Sequence, residues 1–280
     1  MKRPTTLFML LIVASVFLFF MLNLLLGSVA IPLKSVWHIL MHTGDEPQVW
    51  QNIILKSRVP QSLTALVAGA GLAISGLQMQ TVFRNPLAGP SVLGISSGAS
   101  LGVAFVVLLS GSLGGVALSK LGYVGEIALS VAAIAGALSI MALIVYVSQK
   151  VKGNVTLLII GVMIGYVANA IIGVLKYFSV EEDIRAYVIW GLGSFSRVSG
   201  DQVILFVILM SALIPLSFLL IKTMNLMLLG DGYARNLGLN IKRSRLLVIT
   251  SSGVLVAIVT AYCGPIVFLG LAVPHLCRAI

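Results

Sequence analysis

Apolar runs of about 20 residues recur along this chain, and an α-helix needs about that length to cross the hydrocarbon core of a bilayer. We predict seven full spans and one partial span, at residues 7–26, 61–82, 92–110, 124–147, 155–176, 202–222, 246–262 and, broken by glycine and proline, 264–274. Only 9% of the residues are charged, whereas a soluble protein has about 25%. The sequence therefore predicts an all-α polytopic membrane protein, with residues 1–280 forming a single transmembrane domain.

Lysine and arginine are unevenly distributed over the segments between these spans. If the N-terminus is cytoplasmic, the cytoplasmic segments carry eleven of the 18 lysines and arginines and a single acid, Asp231. The external segments carry the other seven cations and seven acids. Short cytoplasmic loops are enriched in lysine and arginine, so we predict a cytoplasmic N-terminus. The net charge of +10 does not indicate nucleic acid, because the cations are scattered and form no basic face.

Small residues line one face of two predicted spans. Gly94, Gly98 and Gly102 recur every four residues in the third span, and Gly161 and Gly165 do so in the fifth. This spacing places glycines on one helix face, where two backbones can approach closely. Helix packing is the simplest interpretation, although the same pattern would also line a pore.

One motif raises the possibility of enzymatic chemistry. The sequence GISSG, residues 94–98, matches the G-x-S-x-G pattern of serine hydrolases. That pattern requires a strand–turn–helix elbow and a histidine partner. Here it opens an apolar helix, while His38 and His42 lie in a loop and His275 lies at the chain end. We predict no catalytic residue and no metal site.

The energy source for transport is also constrained. Carboxylates inside a membrane mark proton or cation coupling, and the predicted spans contain almost none. This argues against an ion-coupled secondary transporter, which stays as the alternative function. No G-x-x-x-x-G-K-[ST] loop occurs to cradle phosphates, so uphill transport would need a partner subunit.

Four segments then agree with one another, in chain order. They are SRVPQSLTALVAGAGLAISGLQMQTVFRNPLAGPSVLGISSGASLG (57–102), VIWGLGSFS (188–196), LGDGYARNLGLNIKRSR (229–245) and GPIVFLGLAVPHLCR (264–278). Together they resemble the FecCD-type permease family of bacterial ABC importers for iron-siderophores, haem and cobalamin. The family continues beyond the last block with about two more helices, so we expect a bundle like that of the cobalamin permease without its last one to two helices.

The resemblance implies a subunit of a type II importer in the bacterial cytoplasmic (inner) membrane. Such a permease forms a homodimer, or a closely related heterodimer, with the substrate path at the dimer axis. Cytoplasmic ATPase subunits bind its coupling helices, and a periplasmic or lipid-anchored binding protein delivers the substrate. ATP then belongs to the partner subunits, and this chain itself holds no cofactor.

The resemblance also implies roles for individual residues near two predicted span ends. Arg58 matches an arginine at the outer mouth that pairs with carboxylates of the binding protein, as an exposed guanidinium can. Gln61 stands where the family often has a second arginine, a departure that would weaken docking or shift it to Lys56. Asn85 and Leu87 match a cytoplasmic gate.

Asn154, in the turn before the fifth span, lies near a second gate element of that family. The cytoplasmic segment 228–245 matches its coupling region. The positions that correspond to the ATPase-binding helix and its flanks are Gly230, Ala234, Arg235, Leu237 and Gly238.

The residues of this segment allow two interpretations when the resemblance is set aside. An apolar side can be drawn through Leu229, Tyr233, Leu237 and Leu239. Such a side suits either a short helix that docks into a cytosolic partner or a loop that lies on lipid headgroups.

Overall fold

The computed structural model describes residues 5–112, 122–151, 153–198 and 200–279, with side chains described for 9–109, 124–151, 153, 155–198 and 200–279. The described chain is helical and contains no strand, so the predicted all-α fold class is confirmed. Its α-helices are α1 (Thr5–Leu25), α2 (Leu33–Leu40), α3 (Gln48–Ile53), α4 (Val59–Phe83), α5 (Ile95–Ser112), α6 (Gly122–Lys150), α7 (Asn154–Tyr177), α8 (Glu181–Gly191), α9 (Asp201–Phe218), α10 (Ile221–Leu228), α11 (Asp231–Asn236), α12 (Ile241–Cys263) and α13 (Leu269–Ala279).

Within the described residues, five helical segments are long and apolar enough to cross a membrane. They are Gln48–Phe83, Val124–Lys150, Val155–Tyr177, Asp201–Phe218 and Ile241–Cys263. Two shorter apolar helices, Met9–Leu25 and Ile95–Leu109, lie in the first and third predicted runs. The long run predicted at 202–222 is divided, because α9 ends at Phe218 and α10 begins at Ile221.

The chain forms two compact units, the first comprising residues up to 66 together with 195–207. Its apolar core is made by five buried side chains of α1, the connection from α1 to α2, α2 itself and the segment between α3 and α4: Leu24, Ile31, Val36, Ile39 and Ile54. A π-helical turn, Ile54–Arg58, joins α3 to α4 without breaking the helical path. The turn brings Arg58 next to the C-terminal end of α1.

In the second unit, residues 67–194 and 208–280, α5 packs against α6, α7, α8 and α12. The glycine faces are what allow these contacts. A Cβ atom on Gly98 would lie 2.6 Å from the carbonyl oxygen of Gly136 on α6, and one on Gly161 would lie 2.9 Å from the Leu93 Cα. A Cβ atom on Gly102 would likewise clash with the Ala132 carbonyl oxygen, so helix packing requires glycine at positions 98, 102 and 161. At Gly165 the nearest atom would lie 3.5 Å away, an ordinary van der Waals contact.

A polar seam joins α4 to α12 inside the second unit. The hydroxyls of Ser75 and Ser252 share a hydrogen bond of 2.6 Å, and both side chains are fully buried. One helical turn further on, the Gln78 amide donates to the Ser251 hydroxyl at 3.0 Å. Hydrogen bonds between side chains of neighbouring helices hold membrane helices in register, so this seam positions the end of α4 and the loop that follows it.

Candidate functional site

The end of α4 has the geometry of a Schellman motif. The Arg84 amide donates to the Thr81 carbonyl, and the Asn85 amide donates to the Gln80 carbonyl. These two nested hydrogen bonds are the pattern by which this motif ends a helix. Arg84 adopts a left-handed conformation, with a φ of 48°. Glycine is the usual residue at this position because it has no Cβ atom, so the arginine here adopts a conformation that its backbone does not favour.

The loop that follows carries the two predicted gate residues, and its conformation is set locally. The Asn85 side-chain oxygen accepts a hydrogen bond of 2.9 Å from the Leu87 amide. The Ala88 amide donates to the Asn85 carbonyl at 3.0 Å. Asn85 is half-buried, whereas the Leu87 side chain is 67% exposed. The loop therefore presents an apolar side chain on a turn that hydrogen bonds hold in place.

The predicted coupling segment forms α11, a short helix between two glycines. Gly230 and Gly238 have φ angles of 105° and 84°, so each turns the chain sharply at one end of the helix. Ala234 is fully buried beneath the helix, whereas the Arg235 side chain is exposed. At the start of α12 the Asn240 side chain caps the helix by accepting from the Arg243 amide.

The outer side of α11 is apolar and open. Tyr233 is 73% exposed and Leu237 is 61% exposed, and Leu229, just before the helix, is also exposed. Leu239 is half-buried instead and does not belong to this surface. We call Leu229, Tyr233 and Leu237 the α11 surface. Exposed apolar side chains of this kind suit either a protein partner or a lipid surface.

We call the loop after α4 that carries Asn85 and Leu87 the gate loop. Three charged side chains connect it to the coupling segment. Arg84 donates to the Asp231 carboxylate, and its Nε donates to the Met227 carbonyl at 3.2 Å. Arg245 approaches the same carboxylate from α12, with its Nη2 at 3.6 Å from the second oxygen of Asp231. Asp231 thus links the loop after α4 to α11 and α12.

Helix α13, which contains the last of the sequence blocks, packs against the same end of α4. The Gln80 amide donates to the Leu271 carbonyl at 3.2 Å. A Cβ atom on Gly89 would lie 3.6 Å from the Leu271 Cβ, an ordinary van der Waals contact. The gate loop is therefore in contact with α13 as well as with the coupling segment.

Arg58 lies in the first unit, and its side chain is only 6% exposed, in contrast to the expectation of an exposed guanidinium. It donates to the carbonyls of Leu24 and Leu25, at 2.7 and 3.0 Å, and to the carbonyl of Val29. The last carbonyls of a helix have no partner within the helix, so Arg58 completes the C-terminal end of α1. Its predicted docking role stays a prediction.

The remaining predicted positions are spread over both units. Lys56 is exposed and Gln61 is half-buried in the first unit. Asn154 begins α7, and its side chain lies outside the described residues. The described contacts between this loop and the coupling segment are made by Arg84, the residue before Asn85.

The GISSG motif stands in a different context from a hydrolase elbow. A short 3₁₀ turn, Pro90–Leu93, precedes it, and Gly94 leads directly into α5. A Cβ atom on Gly165 would lie 3.5 Å from the Ser97 hydroxyl oxygen, so this serine faces a neighbouring helix. In the part of the chain that the structure describes, no three histidine, cysteine, aspartate or glutamate side chains gather as a metal site.

Sequence reasoning singled out the loop and the coupling segment but missed the side chains that connect them. From the sequence, Arg84 is one of eleven cations in the predicted cytoplasmic segments, and Asp231 is the single acid there. A lone carboxylate among many cations is expected to form ion pairs, which was the available signal. The partners of Asp231 could not be chosen from that signal alone.

Apolar helices of membrane-spanning length, packed through glycine faces, define the class as a polytopic α-helical membrane protein. The family model of the FecCD transport family matches residues 12–280. The hemin transport system permease protein HmuU of Yersinia pestis is 34% identical over 254 residues, which cover 90% of this chain and 72% of that protein. The chain belongs to the FecCD transport family.

Other relatives agree with this assignment. The vitamin B12 import system permease protein BtuC of Citrobacter koseri is 37% identical over 234 residues, which cover 82% of this chain and 65% of that protein. A solved structure, an inward-facing conformation of a metal-chelate type ABC transporter, matches with a TM-score of 0.80 at 29% identity. That match covers 99% of this chain and 82% of the other.

Proposed function

We propose that this chain is the transmembrane permease subunit of an ABC importer that moves an iron-siderophore, haem or cobalamin across the bacterial cytoplasmic membrane. The N-terminus is cytoplasmic in this proposal, which places Arg84, Asp231 and the α11 surface on the cytoplasmic side. The relatives whose names mention hemin and vitamin B12 support this range of substrates.

The observation that best supports the proposal is the α11 surface. Tyr233 and Leu237 are exposed on a short helix bounded by two left-handed glycines, at the positions that match the family's ATPase-binding helix. Burying these side chains in a groove of an ATPase removes apolar area from water, at about 25 cal/mol per Å². Ala234 is fully buried, so the helix packs against the body of the permease at this residue.

ATP hydrolysis belongs to the partner subunits, and this chain acts as a non-catalytic path. A second copy completes the path, and a binding protein delivers the substrate from outside. Movement of α11 upon ATP binding opens or closes the gate formed by Asn85 and Leu87, with Asn154 as a second element. The chain needs no cofactor of its own.

Co-purification tests this proposal. The chain is co-expressed with ABC ATPase subunits of the same organism, extracted in mild detergent and isolated by a tag on the permease. We expect the ATPase to be retained and its hydrolysis of ATP to rise when the binding protein and its ligand are added. Absence of the ATPase from the purified material, with the permease intact, would refute the proposal.

A serine variant separates the proposal from an intramembrane enzyme. Ser97→Ala removes the hydroxyl of the GISSG motif, which lies on the side of Gly165, and keeps a small side chain at this position. We expect substrate-stimulated ATP hydrolysis to stay at the wild-type rate. Loss of all activity in this variant would favour the enzyme interpretation instead.

A further inference from the structure

The Arg84 guanidinium forms hydrogen bonds with two consecutive helices, α10 and α11. Its Nε donates to the Met227 carbonyl, in the last turn of α10, and its Nη2 donates to Asp231, the first residue of α11. Gly230, with a φ of 105°, is the turn between these two contacts. The arginine therefore spans the hinge at which the chain enters α11.

Asp231 is shared with a third element. Arg245, in the second turn of α12, has its Nη2 at 3.6 Å from the carboxylate. The Arg245 side chain is 13% exposed, whereas the Asp231 and Arg84 side chains are 41% and 39% exposed. One edge of this charge cluster is thus held in the body of the second unit, and the other edge is accessible.

The backbone at Arg84 indicates that the side chain has a purpose beyond the turn. Position 84 is the left-handed residue of a Schellman motif, where glycine would fit without strain. Conformations of this kind persist in other residues only where the surroundings hold them in place. Here the two backbone hydrogen bonds of the Schellman motif and the guanidinium contacts with Met227 and Asp231 surround the residue.

We propose that Arg84 and Asp231 are positioning residues that tie the gate loop to α11, so that a displacement of α11 moves Asn85 and Leu87 directly. The proposal rests on the proposed function, because it assigns a task within ATP-driven transport. Arg84 immediately precedes Asn85 in the chain, so force applied to its guanidinium reaches the loop with no intervening segment. Arg245 serves as the fixed support from α12.

Arg84→Gly is the most informative variant, because it removes the guanidinium and relieves the left-handed backbone at the same time. Asp231→Asn removes the carboxylate charge. Each variant is purified with its ATPase and reconstituted into liposomes with the binding protein. The measured quantity is the number of substrate molecules taken up per ATP hydrolysed.

We expect both variants to assemble with the ATPase at wild-type levels while uptake per ATP falls about fivefold or more, a typical size for coupling between linked sites. The double variant should lose no more than the stronger single one, since residues that act as a pair show non-additive effects. Lys222→Gln is the matched control, because it removes an exposed cation from the first turn of α10, outside the coupling segment. It should keep the wild-type ratio.

Wild-type uptake per ATP in both single variants, or a loss in the double variant equal to the product of the single losses, would overturn the inference. If the wild-type importer itself shows no ATP-driven uptake, the proposed function has failed, and the inference is then decided on the isolated permease. Amide hydrogen exchange of residues 231–239 should quicken about fivefold or more in Arg84→Gly, since fewer contacts then oppose local opening. Unchanged exchange there would overturn it independently.

Discussion

The Arg84 guanidinium donates to the carboxylate of Asp231, which lies 147 residues further along the chain. The contact places the loop after α4 and the start of α11 side by side, and Arg245 completes the cluster from α12. Sequence similarity assigns these two segments to separate tasks, gating and ATPase binding. In the structure they are in direct contact. A movement of α11 can therefore reach the loop after α4 through this direct contact, with no long path through the core of the helix bundle.

The α11 surface can be tested with a charge. Leu237→Asp should reduce ATPase binding by about a hundredfold or more, because docking must desolvate the new carboxylate at a cost of several kcal/mol. Binding is measured by titrating the ATPase onto permease in nanodiscs. Leu192→Asp is the control, because this leucine is 77% exposed and lies at the end of α8. Normal ATPase binding by Leu237→Asp would remove α11 from the docking site.

The gate assignment predicts a functional change without unfolding. Asn85→Ala removes the acceptor for the Leu87 amide, a loss of about 1 kcal/mol, while the backbone bonds of the Schellman motif remain. We expect the melting temperature to fall by no more than about 2 to 4 °C, with basal ATP hydrolysis or passive substrate leak altered by about fivefold, the equivalent of that energy. Asn85→Asp retains the acceptor and should behave more like the wild type. A variant with wild-type hydrolysis and leak would exclude a gating role for Asn85.

The buried contacts of Arg58 predict that its removal lowers the stability of the protein, an effect that a docking role alone would not cause. Arg58→Ala leaves the carbonyls of Leu24, Leu25 and Val29 without their donor, which should lower the free energy of unfolding by about 2 to 4 kcal/mol. The readout is thermal unfolding in detergent. Lys56→Ala, at an exposed neighbour, should change the same quantity by less than about 0.5 kcal/mol.

The dependence on salt concentration distinguishes a docking role of Arg58 from its role at the end of α1. Docking through exposed charges weakens as ionic strength rises, whereas the buried contacts with α1 carbonyls are hardly screened. If docking is its task, Arg58→Glu should weaken binding-protein capture at low salt and differ less from the wild type at high salt. A stability loss in Arg58→Ala with unchanged capture in Arg58→Glu would assign the residue to α1 alone.

The glycine faces predict position-specific losses of stability. Gly98→Ala places a Cβ atom 2.6 Å from the Gly136 carbonyl oxygen, and overpacking of this kind costs about 1 to 3 kcal/mol. Gly173→Ala is the matched control, since no atom lies within 4 Å of its new Cβ. It should be neutral or stabilising by about 0.5 to 1 kcal/mol. Equal melting temperatures for the two variants would contradict the close packing of α5 on α6.

The sequence was sufficient for the features that depend on local composition. Apolar runs located the long helices, because hydrophobic length is a local property, and four-residue glycine spacing located the faces that pack. The division of the run at 202–222 was missed, since Leu219 and Leu220 are as apolar as their neighbours. A turn inside a uniformly apolar run leaves no mark in hydropathy.

Contacts between residues that lie far apart in the chain could not be predicted from local composition. Arg58 was expected to be exposed because it matches an outer-mouth arginine of the family that pairs with carboxylates, but its acceptors on Leu24 and Leu25 lie 34 and 33 residues earlier in the chain. Asp231 was noticed as the single acid of the cytoplasmic segments, yet several cations were equally available to pair with it. Only the three-dimensional arrangement selects Arg84 and Arg245.

ATP dependence of uptake tests the central claim most directly. The permease, its ATPase and its binding protein are reconstituted into liposomes with ATP enclosed on the ATPase side, and accumulation of ferric siderophore, haem and cobalamin is followed with and without a proton gradient. We predict that one of these substrates accumulates only when hydrolysable ATP is present. Accumulation driven by the ion gradient in the absence of ATP would contradict the account and identify a secondary transporter.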